Sequence, residues 1–307
     1  MSCPVCRAEN SGGRCDSCGA ASQPGGFTVE SLLSQTLHGR VYAARAPGGE
    51  RVALKELVFA LAPDAQTIDH FEREARVLAG LEHPAIPRFV GAFREGSGVG
   101  LRLYLAQELI DGAPLRPPLA AAEVREIARQ ALEVLGWLHA RGVLHRDVKP
   151  SNLLRRPDGR IVLVDFGVAR ELLREVTHGA TLVGTFGYMP IEQLGGTVDA
   201  RSDLYALGAT LLHCLTGVEP AALLKPDFSL DTSRAGELRF WLDKLVALRR
   251  EDRYANAAAA LSALDAPAPK PRRRWLEMLR SWFAPLPPRP RFWPEVLPIP
   301  RGDRVEL

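Results

Sequence analysis

The stretch His145-Arg146-Asp147-Val148-Lys149-Pro150-Ser151-Asn152, followed by Asp165-Phe166-Gly167, constrains this chain more than any other. Between the two segments lie the apolar pair Leu153-Leu154, the turn signal Arg156-Pro157-Asp158-Gly159 and the apolar run Ile161-Val162-Leu163-Val164. That order predicts a short β-hairpin. A hairpin returns the chain to its start, so Asn152 and Asp165 are expected side by side. An Asn oxygen and an Asp carboxylate are hard ligands suited to Mg²⁺, which keeps several waters and shares its other positions with substrate phosphates. Asp147 lies just upstream, where it can take the proton of an attacking hydroxyl.

The scaffold for such a site can be large. With 307 residues, 46% of them hydrophobic, the chain can hold one large domain or two ordinary ones. A net charge of +3 gives no global argument for nucleic acid as a partner, and none is expected. The sequence has no run of about 18 apolar residues and no charged-then-apolar start, so a cytoplasmic, non-spanning protein is expected.

Four of five cysteines fall in the first 18 residues, as Cys3-x2-Cys6-x8-Cys15-x2-Cys18. Two close pairs suit tetrahedral thiolate coordination, with Zn²⁺ the leading candidate and iron or a redox dithiol the alternatives. Gly12, Gly13 and Gly19 supply backbone freedom. A zinc-ribbon-like module over residues 1–22 and a linker over 23–30 follow. Structural cap, protein-docking module and redox sensor all remain open as its purpose. Cys214, inside an apolar helical run, reads as an inert buried thiol.

Periodicity supplies the surrounding elements. Arg51 to Leu57 alternates as a strand, with Ala53 and Lys55 on one face and Val52 and Leu54 on the other. A helix from Thr67 to about Leu81 points Phe71, Ala75 and Leu78 inward, with Glu74 among them. A carboxylate on an apolar edge is costly without a cation, and Lys55 is the natural partner. A strand near Leu101 to Leu105 follows. Val124, Ile127, Ala128, Ala131, Leu135 and Leu138 keep a helical period leading into the Asp147 loop, and Ser202 to Thr216 reads as another helix with Asp203 at its start.

From about Leu33 to Leu264 this ordered set of motifs resembles the eukaryotic-like, bacterial-type serine/threonine protein kinases. The resemblance implies an α+β, two-lobed fold over residues 31–265: a β-rich small lobe at about 31–106, a hinge at 107–112 and a helical large lobe at 113–265. It implies ATP and Mg²⁺ (or Mn²⁺) as cofactors, and transfer of the γ-phosphate to Ser/Thr hydroxyls of protein substrates. Asp147 would be the base, Lys149 and Lys55 the phosphate-binding cations, Asn152 and Asp165 the metal ligands, and Glu74 the partner of Lys55. Leu33, Gly39, Val41, Ala53 and Leu154 would line the nucleotide, with backbone groups of Glu108 and Ile110 on the adenine edge and Gln107 as a polar gatekeeper. Thr181 resembles an activating phosphothreonine that Arg146 could pair with, so autophosphorylation is expected there. Thr185 resembles the threonine that contacts the catalytic Asp and Lys. Asp203 would bond the catalytic-loop backbone, and Glu192 would pair with Arg253.

Two departures stand out. The glycine-rich loop, Ser34-Gln35-Thr36-Leu37-His38-Gly39-Arg40-Val41, keeps only Gly39, and Pro190-Ile191-Glu192 replaces Ala-Pro-Glu, with Phe186 where proline is common. They motivate an alternative from another class, a pseudokinase scaffold with weakened ATP binding. The Pro/Arg-rich tail, 266–307, contains Trp275 to Phe283, whose apolar residues could form one helical face. For the tail, docking onto the kinase or onto a partner is favoured, ahead of disorder and of peripheral contact with an anionic membrane; a docking partner for the ribbon stays open with its other roles.

Overall fold

Alternating strands from Thr28 onward build the first layer. The computed structural model describes residues 2–9, 12–36, 39–59, 65–166 and 187–266. Strands β1 (Thr28–Thr36), β2 (Gly39–Arg45), β3 (Arg51–Val58), β4 (Phe89–Glu95) and β5 (Arg102–Glu108) form an antiparallel sheet in the order β1-β2-β3-β5-β4. Helix α1 (Ala65–Ala79) packs against β4, and the spacing buries Phe71, Ala75 and Leu78. The helix starts and stops two residues before the expected bounds, giving way to Gly80.

After β5 come β6 (Ala113–Pro114), α2 (Ala121–His139), and the hairpin of β7 (Leu153–Arg155) and β8 (Ile161–Leu163), which pair with Leu153 opposite Leu163. Among the described residues the α-helices that follow are α3 (Ile191–Leu194), α4 (Ala200–Thr216), α5 (Arg239–Leu245) and α6 (Ala257–Leu264). From Thr28 onward a five-stranded sheet with one helix is thus followed by a largely helical part, the expected α+β layout. Helix α4 is apolar nearly all round because it is central, packed against α2 and α5. A capping box starts it: the Asp199 carboxylate accepts from Arg201 N–H at 2.8 Å, and Ser202 Oγ lies 3.3 Å from the Asp199 nitrogen. Gly208 permits its close approach to α5, since a Cβ there would sit 2.7 Å from Val246 and 2.8 Å from Leu245.

The stretch 23–30, expected as a linker, holds a short 3₁₀ turn at Pro24–Gly26, the buried Phe27 and Val29, and the start of β1. Gly167, Thr181, Thr185, Phe186 and the tail beyond Ala266 lie outside the described residues. Among the described residues no helix is long and apolar enough to cross a membrane.

One buried ion pair fastens α3 to the helices behind it. Arg253, fully buried, donates to the Glu192 carboxylate at 2.6 and 3.1 Å and to the carbonyls of Ala247, Arg201 and Leu248 at 2.8, 3.1 and 3.1 Å. Its guanidinium also lies 4.8 Å from the Tyr205 ring centroid. Burial would raise the Glu192 pKa, but the Arg253 donors hold it below the ordinary carboxylate value. Replacing Arg253 by Met should therefore cost about 3–5 kcal/mol at neutral pH, measured by chemical denaturation. The stabilisation from a depressed carboxylate is complete above the unfolded value near about 4.3 and is lost as pH falls below it, so the difference between variant and parent should narrow in that acid range.

Candidate active site

The hairpin and helix α4 position the loop that carries Asp147. Asp203, on the first turn of α4, takes the backbone N–H of His145 at 2.9 Å and of Arg146 at 2.7 Å, and lies 2.9 Å from His139 Nε2. The helix cap itself is Asp199, so Asp203 is turned to the loop rather than to its own helix. Burial would raise Asp203, but His139 and the neighbouring donors bring it below its ordinary value. From the same helix, Thr210 Oγ1 shares its hydrogen between the Ala206 carbonyl at 2.7 Å and the Val148 carbonyl at 3.1 Å; from α3, Gln193 Nε2 donates to the Arg146 carbonyl at 3.0 Å. Arg146 adopts a left-handed φ of 66°, an uncommon conformation that these bonds hold in place.

His145 is fully buried and links the loop to the hairpin. The Asp147 N–H donates to its Nδ1 at 3.3 Å, so its Nε2 carries the hydrogen that reaches the Val164 carbonyl at 3.1 Å. Burial lowers its pKa despite the nearby Asp203 and Asp147, keeping the ring neutral. The ring also packs against Phe166, with centroids 4.8 Å apart.

At the end of this loop Asp147 is held from two sides. Lys149 Nζ reaches its Oδ2 at 2.7 Å, and Asn152 Nδ2 donates to its backbone carbonyl at 2.8 Å and its Oδ2 at 3.0 Å. This turns the Asn152 amide oxygen away from Asp147, where it meets Ser151 Oγ at 3.3 Å. The Val164 N–H donates to the Asn152 carbonyl at 2.9 Å, so the hairpin brings its two ends together as expected. Asp165 follows directly, with φ 60°.

Lys55 joins this group from β3. Its ammonium donates to the Asp165 carboxylate, not to Glu74. The expected Lys55–Glu74 pair is therefore not made: one compact ammonium has two carboxylates to choose from, and Asp165 takes it. Glu74 Oε2 is buried without a hydrogen-bond partner among the described residues. Burial raises the Glu74 pKa, against the opposing charges of Arg146 and Lys55. For Asp165 burial acts in the same direction, and the Lys55 charge overrides it, leaving its pKa low.

Of the remaining nucleotide candidates, Val41 and Ala53 lie on the Lys55 face of the sheet. The register sets Val41 and Leu105 beside Lys55, and Ala43 and Gln107 beside Ala53. Leu33 is half exposed on β1, Leu154 lies on β7 opposite Val162, and Ile110 is buried. Glu108 ties down the end of β5: its N–H donates to the Arg88 carbonyl at 2.8 Å and its carboxylate takes Arg156 at 3.1 Å. Strand β1 stays paired to β2 through Thr36 opposite Gly39, so Ser34 and Thr36 occupy extended backbone that needs no glycine. Gly39 is required for another reason: a Cβ there would fall 2.5 Å from the Glu56 carbonyl.

The four N-terminal cysteines also converge. Their sulfurs all lie within 4.8 Å of one another, with Cys3–Cys18 at 3.7 Å and Cys6–Cys15 at 3.6 Å. A tetrahedral thiolate site with metal–sulfur bonds of about 2.3 Å has edges of about 3.8 Å, so the donor set fits a metal ion. Two like knuckles deliver them: Arg7 N–H to Cys3 carbonyl (3.0 Å) and Gly19 N–H to Cys15 carbonyl (2.8 Å). Gly19 has φ 71°, and Arg7 takes the equivalent place at 64°. Burial would raise the Cys3 thiol, but the Cys6 and Val5 N–H groups and neighbouring thiols bring it to about 6, whereas burial and those thiols push Cys18 to about 12. Four adjacent sulfurs do not all ionise without a cation among them. Cys214, fully buried in α4, is pushed by burial to about 12 and is inert, as expected.

Sequence reasoning missed one group altogether: the fully buried Glu56 of β3, bonded by Tyr42, Tyr104 and Arg14. The signal was present. Glu56 shares its strand face with Val52 and Leu54, and a carboxylate on an apolar face demands partners, the argument applied to Glu74.

A family model described as protein kinase domain matches residues 27–248. The chain is 38% identical over 179 residues to serine/threonine-protein kinase PknB of Mycolicibacterium smegmatis, covering 55% of this chain and 29% of that protein. It is 38% identical over 215 residues to serine/threonine-protein kinase PknJ of Mycobacterium tuberculosis, covering 66% and 36%. The chain thus spans only about a third of the length of these curated relatives. Among solved structures, the PknI kinase domain of Mycobacterium tuberculosis matches with a TM-score of 0.63 at 30% identity, covering 80% of this chain and 98% of that one.

Asp203→Ala removes the acceptor of two backbone N–H groups and a histidine at once. A loss of about 3 kcal/mol in unfolding free energy is expected, together with faster amide exchange at His145 and Arg146. Unchanged exchange at those two amides would contradict the anchoring role.

Proposed function

The chain belongs to the protein kinase domain family, and from that premise we propose that it transfers the γ-phosphate of ATP to serine or threonine hydroxyls of proteins. The observation that carries this reading is the Asp147 carboxylate held between Lys149 and Asn152, with Asp165 and Lys55 joined beside it. Asp147 orients the attacking hydroxyl and accepts its proton. Lys149, bonded to the same carboxylate, sits where it can neutralise charge on the transferring group. Asn152 through its amide oxygen and Asp165 through its carboxylate would hold Mg²⁺ (or Mn²⁺), which supplies neutralisation of phosphate charge when bound. Lys55 then serves the α and β phosphates, and Glu74, raised in pKa and lacking a hydrogen-bond partner among the described residues, is the carboxylate to which Lys55 can turn. Such chemistry relies on positioning and electrostatics, and these side chains supply both.

A scaffold that signals only by shape would not require this whole set. The eroded glycine loop, the main argument for a scaffold, is weakened by the extended backbone at Ser34 and Thr36. Thr181 is the proposed autophosphorylation site, with Arg146 as its cation. The Cys3, Cys6, Cys15 and Cys18 cluster is proposed to hold Zn²⁺.

Purified protein incubated with labelled ATP and Mg²⁺ should phosphorylate itself on Thr181 or its neighbours. Asp147→Asn should lower that rate about 10²–10⁴-fold, read by mass spectrometry of the activation segment. Equal labelling in the variant would refute the assignment of the base.

Metal analysis of the same preparation should return one zinc per chain, falling well below one in Cys15→Ser. Iron in its place, or no metal, would overturn the zinc assignment.

A further inference from the structure

The sheet face turned away from Ala53 and Lys55 carries a buried charge cluster. Glu56 has no exposure at all, and the strand register sets it between Arg40 on β2 and Tyr104 on β5. Its carboxylate accepts from Tyr42 Oη at 2.6 Å, Tyr104 Oη at 3.0 Å and Arg14 at 3.2 Å, with the Arg40 guanidinium at 3.5 Å. Both cations are tied to the second cysteine knuckle. Arg14 directly precedes Cys15 and also donates to the Gly19 carbonyl at 2.6 Å; Arg40 donates to the Cys18 carbonyl at 2.6 Å. Around them Cys3, Cys15 and Ala20 share an apolar cluster with Tyr42, Leu54 and Tyr104.

A module hung on a loose linker would leave this face in water. Instead Tyr42, Tyr104 and Glu56 are all fully buried, so the cysteine module is part of the lobe. Burying a carboxylate is tolerable only while its donors stay in place. Arg14 stays in place only while the second knuckle is folded, and a module of about twenty residues depends on its metal for folding. Glu56 and Lys55 are consecutive residues of one strand that face opposite ways, so whatever fixes the first fixes the backbone that aims the second. The contact has little slack, because the Gly39 backbone lies against the Glu56 carbonyl.

We propose that Arg14 and Glu56 are positioning residues for Lys55, and that metal at the four cysteines and nucleotide at the Lys55 face bind with positive coupling carried by the Arg14–Glu56 contact. This rests on the kinase and metal-site readings above. Coupling between two sites is reciprocal, which gives a readout independent of catalysis.

The test uses the full chain, zinc, and a non-hydrolysable ATP analogue with Mg²⁺. Nucleotide affinity is measured with zinc bound and after chelation; zinc retention against a competing chelator is measured with and without the analogue. Both factors should agree, at roughly tenfold. In Arg14→Ala, zinc content should stay at the parent level while nucleotide affinity falls by the same factor and the coupling drops to about one; Arg14→Lys should keep part of it. A coupling factor of one in the parent, or full coupling in Arg14→Ala, overturns the proposal. Should metal removal unfold the chain, the zinc-loaded Arg14→Ala variant decides alone: parental nucleotide affinity at full zinc content overturns the proposal. Zinc-loaded parent that binds no nucleotide would refute the kinase reading, and parent that retains nucleotide but takes up no zinc would refute the metal reading; either removes the basis for coupling by a distinct result.

Discussion

The carboxylate of Asp203 fixes the loop on which the whole site is assembled. It takes two consecutive backbone N–H groups, those of His145 and Arg146, and forces the chain into the left-handed turn at Arg146 that brings Asp147 round. A loop held by water would sample many conformations. A loop whose amides end on a buried carboxylate, itself met by His139, samples few. From that turn onward each contact follows from the last: His145 to Val164, Asn152 to Asp147, Lys149 to Asp147.

The same physical rule recurs at the buried glutamates among the described residues, and Glu74 departs from it. Glu192 is buried and met by Arg253; Glu56 is buried and met by two tyrosines and two arginines. Glu74 is the exception, with a buried oxygen that has no hydrogen-bond partner among the described residues and a raised pKa. Its natural cation, Lys55, sits on Asp165. A lysine whose charge acts on two carboxylates is a natural two-position element, because one ammonium pairs closely with only one of them at a time.

The hairpin from Leu153 to Leu163 was legible in the sequence because its signals are local: apolar pairs flanking Arg156-Pro157-Asp158-Gly159, with Gly159 at φ 86°. The inward stripe of α1 was legible for the same reason, although its ends were not, since helix termini answer to the chain that follows. The partner of Lys55 was not legible, because it depends on which of two distant carboxylates lies closer in the folded chain. The docking of the cysteine module was missed because Tyr42, Glu56 and Tyr104 read singly as ordinary strand residues. Only the register, which sets Arg40, Glu56 and Tyr104 in one row, shows why that face is covered.

Transfer of the terminal phosphoryl group to a hydroxyl is tested most directly by the fate of differently placed labels. Parallel incubations with ATP labelled at the γ or at the α phosphate, followed by phosphoamino-acid analysis, should give label on serine or threonine from γ alone. Protein label derived from the α phosphate would mean nucleotidyl transfer through the same residues, and would contradict the roles given to Asp147 and Lys149.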